Sequence, residues 1–104
     1  MSPTQTKLES QFQAKLIQEL HDTYPDAIVL KNDSSYIQGI PDLLVLIEDR
    51  WAALECKRSI DEILQPNQAY YVTEMNQMSF AAIICPENRE EVLRALSASL
   101  RASR

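Results

Sequence analysis

Asp42 closes a Gly39-Ile40-Pro41-Asp42 block, and Glu55-Cys56-Lys57 follows after twelve intervening residues. Residues two apart on a strand project from the same face, so Glu55 and Lys57 should point together. Asp42 stands at the mouth of one apolar run and Glu55 lies in the next. If the two runs pair as a hairpin, Asp42 joins the other two. Two carboxylates and an ammonium crowded into one spot are costly unless a cation, and then a phosphate, sits among them. The chemistry that fits is divalent-metal hydrolysis of a phosphodiester. Plainer readings stand beside it. Asp42 could cap a turn after proline, and Lys57 could simply neutralise Glu55 as a structural ion pair. Glu55 is harder to explain in that way, because Trp51 and Ala53 share its face and argue against simple exposure.

The elements that must position these groups can be read along the chain. Thr6-Lys7-Leu8-Glu9 has capping-box form, and Leu8, Phe12, Leu16, Ile17 and Leu20 follow at helical spacing, predicting a helix over residues 6–22. Tyr24-Pro25-Asp26 breaks it, and Ala27 to Leu30 reads as a short strand. Gly39 is the only glycine, which marks a backbone position that a side chain would obstruct. Asp42 to Glu48 is nearly continuous apolar sequence, as expected for a strand covered on both faces. Glu48-Asp49-Arg50 can turn the chain into an antiparallel strand over Trp51 to Lys57. Leu64-Gln65-Pro66-Asn67 begins a second helix with proline in its first turn, ending near Asn76. Ser79 to Cys85 predicts a fourth strand. Asn88 and Glu91, at capping-box spacing, open a last helix with Val92, Leu93, Leu96 and Leu100 facing inward. The strand–helix–strand crossover implies parallel pairing. The expected class is α/β: a small mixed sheet flanked by helices, in the order α-β-β-β-α-β-α.

At 104 residues the chain is expected to form one domain around one modest core. No apolar run is long enough to span a membrane, and the first seven residues lack a signal pattern, so a cytoplasmic setting is expected. Cys56 and Cys85 each lie in apolar runs and read as buried thiols; their spacing fits no zinc motif, and His21 has no partner. The net charge of −5 counts against a domain that binds nucleic acid through bulk positive charge. It counts less against a metal-dependent nuclease, whose acids attract the cation that reverses the local charge.

Glu9 on the first helix, Pro41-Asp42 and Glu55-Cys56-Lys57 together resemble the PD-(D/E)XK nuclease superfamily, and more narrowly the small stand-alone VRR-NUC domains, many of them phage-encoded and similar to Holliday-junction resolvases. The similarity spans nearly the whole chain, including the Gly39 block and Gln68 at the start of the helix after the lysine. It implies a restriction-endonuclease-like core and a Mg²⁺- or Mn²⁺-dependent DNA endonuclease. It also implies that Asp42, Glu55 and the backbone carbonyl of Cys56 bind the metal, with Glu9 at the edge of the site, directly or through water. Lys57 would orient or activate the attacking water and offset charge at the scissile phosphate, and Gln68 would support the lysine or the phosphate. A homodimer acting on branched DNA such as four-way junctions is the implied assembly and substrate. Two features depart from the family pattern: residues 32–38 lack an arginine-rich character, and Asn76-Gln77-Met78 stands where a glycine commonly follows the second helix.

The supporting residues have ordinary readings too. Glu9 is fully accounted for as a capping-box acid, and Gln68 as a first-turn helix residue. Trp51, Tyr70 and Tyr71 could stack on bases, with core or interface packing the plainer role. Lys31, Arg50 and Arg58 are candidate phosphate contacts, or solvated charges. Alternatives to junction cleavage are a nickase or end-processing nuclease without junction preference, and a noncatalytic DNA-binding or dimerisation module.

Overall fold

Apolar residues recur every three to four positions before Tyr24 and after Asn88 and gather in short runs between, and the first helix, the last helix and the strands follow that pattern. In the computed structural model, which describes the backbone of residues 3–101 and the side chains of residues 8–101, the elements are α1 (Pro3–Thr23), β1 (Ile28–Lys31), β2 (Leu43–Ile47), β3 (Arg50–Cys56), α2 (Pro66–Met78), β4 (Phe80–Ile84) and α3 (Arg89–Arg101). This is the expected α-β-β-β-α-β-α order. The sheet runs β1-β2-β3-β4, with β1–β2 and β2–β3 antiparallel and β3–β4 parallel. The parallel step is the one bridged by α2, because a short loop cannot return a chain to a parallel start.

One face of the sheet carries Leu43, Val45, Ala52, Leu54, Cys56 and Ile84, packed beneath Leu16 and Leu20 of α1 and Val92 and Leu96 of α3. Leu93 and Leu100 border this core, in line with the inward stripe read for α3. The opposite face is covered by α2 over β3 and β4 only. β2 is therefore not covered on both faces. Leu43 and Val45 are buried, whereas Leu44 and Leu46 are half-buried, and across from them Ile28 and Leu30 are 58% and 43% exposed. An apolar run alone does not say how many helices are available to cover it.

Three local expectations are corrected. α1 already includes Pro3, which a first helical turn tolerates, so Thr6 lies inside the helix and cannot be its cap. α2 runs to Met78 rather than stopping at Asn76. Asn76 is not in a left-handed conformation; its Oδ1 instead accepts the Ala81 N–H at 3.0 Å, tying the helix end to β4. Asn88 also turns its amide backward: Oδ1 accepts the Cys85 N–H at 2.8 Å and Nδ2 donates to the Ile83 carbonyl at 3.0 Å. Its side chain closes the end of β4 rather than making the expected capping box with Glu91. Cys56 and Cys85 are free, buried thiols, as expected. Among the described residues no helix is long and apolar enough to cross a membrane.

Candidate active site

The β2–β3 hairpin pairs Leu43 with Leu54, so Asp42 and Glu55 occupy the next rung, at the sheet end where the parallel β4 also terminates. Asp42 is fixed from both sides. Its carbonyl accepts the Asn32 N–H at 2.8 Å, extending the β1–β2 ladder by one step, and the Asn32 amide donates to the Pro41 carbonyl at 2.8 Å. Its Oδ2 accepts the Cys56 N–H at 2.8 Å. That bond serves a backbone donor at the strand end and locks the carboxylate against β3. It also brings the Cys56 backbone to the acids, while the metal-binding role of its carbonyl rests on the resemblance.

Glu55 is 3% exposed and Lys57 is 5% exposed, so both are inside the protein. Gln68, on the first turn of α2, spans them. Its Nε2 donates to Glu55 Oε2 at 2.7 Å, and its Oε1 accepts Lys57 Nζ at 2.9 Å and the Gln65 N–H at 2.9 Å. Only this amide orientation works, because the reverse would set NH₂ against the ammonium and a carbonyl against the carboxylate. The position read from the helix start is thus the clamp of the site. Lys57 lies 3.9 Å from Glu55 Oε2, and its peptide N–H donates to the Ile84 carbonyl at 2.8 Å, carrying the strand one residue beyond Cys56.

Glu62 is the residue that the sequence reading missed. Its carboxylate lies 3.2 Å from Lys57 Nζ and 3.4 Å from Arg58 Nε, and it accepts the Arg58 N–H at 3.3 Å. The signal was the Lys57-Arg58 pair followed by an acid four residues later, in a segment without helical or strand periodicity. The chief partners of Lys57 are therefore Glu62 and Gln68, and the simple Glu55–Lys57 pair is its longest contact. Arg58 is likewise committed to Glu62, while Arg50 lies near Asp49 and donates to the Ser99 carbonyl at 3.1 Å. Tyr70 and Tyr71 pack edge to face with centroids 5.1 Å apart, and Trp51 is half-buried on the sheet.

With Thr6 inside α1, Glu9 is free of capping duty. It lines a surface hollow with Lys57, Arg58, Glu62 and Gln68. Burial, then the fields of Asp42 and Glu62, raise its pKa above the usual carboxylate value, with Lys57 and Arg58 opposing. The structure therefore brings all five predicted residues, Glu9, Asp42, Glu55, Lys57 and Gln68, into one neighbourhood.

No protein-family model, curated protein or solved structure matches the chain.

Burial, followed by the adjacent Asp42 carboxylate, pushes Glu55 up to about 8, and burial also raises Asp42. Burial and the same acids raise the Cys56 thiol, which keeps it protonated and unreactive. Glu55 Oε1 is buried against Asp42, with no donor among the described residues other than Asp42 itself. A carboxylate oxygen left so is expensive to keep. Two things can satisfy it: a proton shared with Asp42, or a cation between them. The charge count favours room for the cation, since among the described residues the carboxyls of Glu9, Asp42, Glu55 and Glu62 face two cationic side chains, Lys57 and Arg58. Among the described residues no three His, Cys, Asp or Glu side chains gather closely enough to enclose a metal by themselves. Asp42 and Glu55 are the two adjacent carboxyls, with Glu9 lining the hollow beside them. Two carboxylates with open positions suit Mg²⁺ or Mn²⁺, hard cations that keep several waters.

Proposed function

We propose that the protein is a Mg²⁺- or Mn²⁺-dependent DNA endonuclease with a restriction-endonuclease-like core, of the VRR-NUC type, acting as a homodimer on branched DNA. The observation that carries the nuclease reading is the buried Glu55 carboxyl set against Asp42, with one oxygen held by Gln68 and the other left with no donor but Asp42. The fold order and the placement of Glu9 agree with the reading, and the preference for junctions and the two-fold assembly rest on the resemblance alone.

When bound, the metal would polarise the phosphodiester and lower the pKa of a coordinated water. Asp42 and Glu55 would hold it, Asp42 aimed by the Cys56 N–H and Glu55 by Gln68. Lys57 has one proton taken by Gln68 and another by Glu62, which fixes the ammonium near the acids and leaves a third donor for substrate. A fixed cation there stabilises the charge that grows on the phosphate during attack. Each site cuts one strand, and a two-fold dimer supplies two sites at a set separation, as paired cuts across a junction require.

The test is a cleavage panel of labelled four-way junction, nicked, single-stranded and linear DNA with Mg²⁺ or Mn²⁺, with Asp42→Asn and Lys57→Ala in parallel. Metal-dependent cutting abolished by both substitutions supports the assignment. Cutting that survives both would sink it, and equal cutting of all substrates would remove the junction preference. Sizing chromatography on the same preparation tests the dimer.

A further inference from the structure

Two concave surfaces flank the acids and Lys57, and they meet at Gln65 and Gln68. One is lined by Glu9, Asp61 and Glu62 alongside Lys57 and Arg58. The other is an open groove of about 690 Å³ between the loop bearing Ser34, Ser35 and Gln38 and the first turn of α2 with Gln65 and Asn67. Among the described residues no charged side chain lines it. Asp33, on the same loop, is occupied with the Ser35 N–H and hydroxyl at 2.8 and 2.6 Å, and it lines a separate hollow with Tyr36 and Ile40.

The groove walls are set by close packing. Gly39 has φ +91°, and a Cβ there would lie 2.4 Å from Asn67 Cβ and 2.8 Å from its carbonyl carbon, so the loop backbone rests directly on the helix start. A strand of DNA leaving the reaction centre meets carboxylates on one side and neutral amides and hydroxyls on the other. With the scissile phosphate at Lys57, the flanking nucleotides meet less repulsion along the neutral side than among the acids of the first. Amides that both donate and accept match base edges better than phosphates. A duplex is convex and cannot enter a groove of this size, whereas a nucleotide that has left the stack can.

We propose that this groove receives unpaired nucleotides of the DNA strand next to the scissile phosphate, with Gln38, Gln65 and Asn67 contacting base edges. The inference rests on the nuclease reading and sharpens its substrate: the cut site has single-stranded character, as at a frayed junction, flap or gap.

The experiment uses the full chain carrying Asp42→Asn, in Ca²⁺, with fluorescence anisotropy of a labelled single strand and of a duplex of equal length. Gln38→Ala and Asn67→Ala each remove one of the proposed base contacts while keeping the Cβ, and their melting curves establish that they fold. Each should weaken single-strand binding about tenfold or more, the scale of one or two lost polar contacts, and leave duplex binding unchanged. In the cleaving protein the same substitutions should raise KM and preserve kcat. Unchanged single-strand binding, absence of such binding, or a wild-type preference for duplex would overturn the proposal. Cleavage with groove-independent binding refutes the groove and spares the nuclease. Groove-dependent binding without any cleavage refutes the nuclease and spares the groove.

Discussion

Replacing Glu55 by Gln should make the metal-free protein more stable at pH 8 and abolish its response to metal. The carboxyl has an ordinary pKa of 4.5 and is held at about 8 in the fold, first by burial and then by Asp42. Below pH 4.5 it is neutral in both folded and unfolded chains, and it imposes no penalty. Between 4.5 and about 8 the unfolded chain releases the proton while the folded one keeps it, so stability falls as pH rises. Above 8 the loss levels off. Asp42 and Glu9 are also raised, so they act in the same direction. The loss is on the order of 3 kcal/mol. For a domain of this size that corresponds to roughly 10–20 °C in melting temperature. A cation bound by the ionised acids offsets it, adding about 2.7 kcal/mol at a hundred times its dissociation constant.

Circular-dichroism melts from pH 5 to 9, with and without Mn²⁺, measure all of this without any nuclease assay. The wild type should lose stability across that window in the absence of metal and regain most of it with Mn²⁺ at pH 8.5, but little at pH 5.5. Glu55→Gln, which keeps the Gln68 contact and cannot ionise, should melt with a much shallower pH slope and ignore Mn²⁺. An identical pH slope in wild type and variant would refute the claim that Glu55 is the strained acid. A Mn²⁺ response that survives the substitution would refute its part in binding the cation.

Other outcomes follow from single contacts. Gln68→Ala removes the bridge between Glu55 and Lys57 and should lower kcat about 10–100-fold, the usual cost of losing a group that orients metal ligands, with KM little changed in steady-state cleavage. Gly39→Ala should destabilise by about 2–4 kcal/mol in urea titrations, combining overpacking against Asn67 with a positive φ. Adding Asn67→Gly should restore only part of that loss, because the Asn67 carbonyl carbon still crowds the new methyl at 2.8 Å. Glu48, first of the two residues turning β2 into β3, holds φ 53°, so Glu48→Gly should stabilise by about 1 kcal/mol in the same titration.

Asp42, Glu55 and Lys57 were legible in the sequence because strand geometry is periodic. Once two apolar runs are joined by a short turn, the register of a hairpin dictates which residues share a rung. The obstruction at Gly39 was legible for a related reason, since a lone glycine before Ile-Pro-Asp has little purpose other than backbone approach. What the sequence could not supply were contacts made across irregular chain. Glu62 sits in a segment with no repeating pattern, and only the fold carries it back to Lys57. The open half of the sheet was hidden for the opposite reason, because Leu44 and Leu46 look the same in sequence whether or not a helix covers them.

Glu9 shows how a correct element can carry an incorrect role. The capping-box pattern was real as a string of residues, but helix signals compete, and Pro3 upstream lets the first turn begin earlier. That shift of three residues matters chemically. A carboxylate engaged in capping is held by backbone N–H groups that keep its pKa low. Glu9 is instead raised, by burial and by the other acids of the site. Its proximity to Asp42 and Glu62 makes it part of the same cluster of acids that raises Glu55. Removing any one of these acids should therefore relax the others, whereas removing Lys57 should tighten the competition among them. The difference is measurable as opposite shifts in the pH midpoint of the metal-free melting curve.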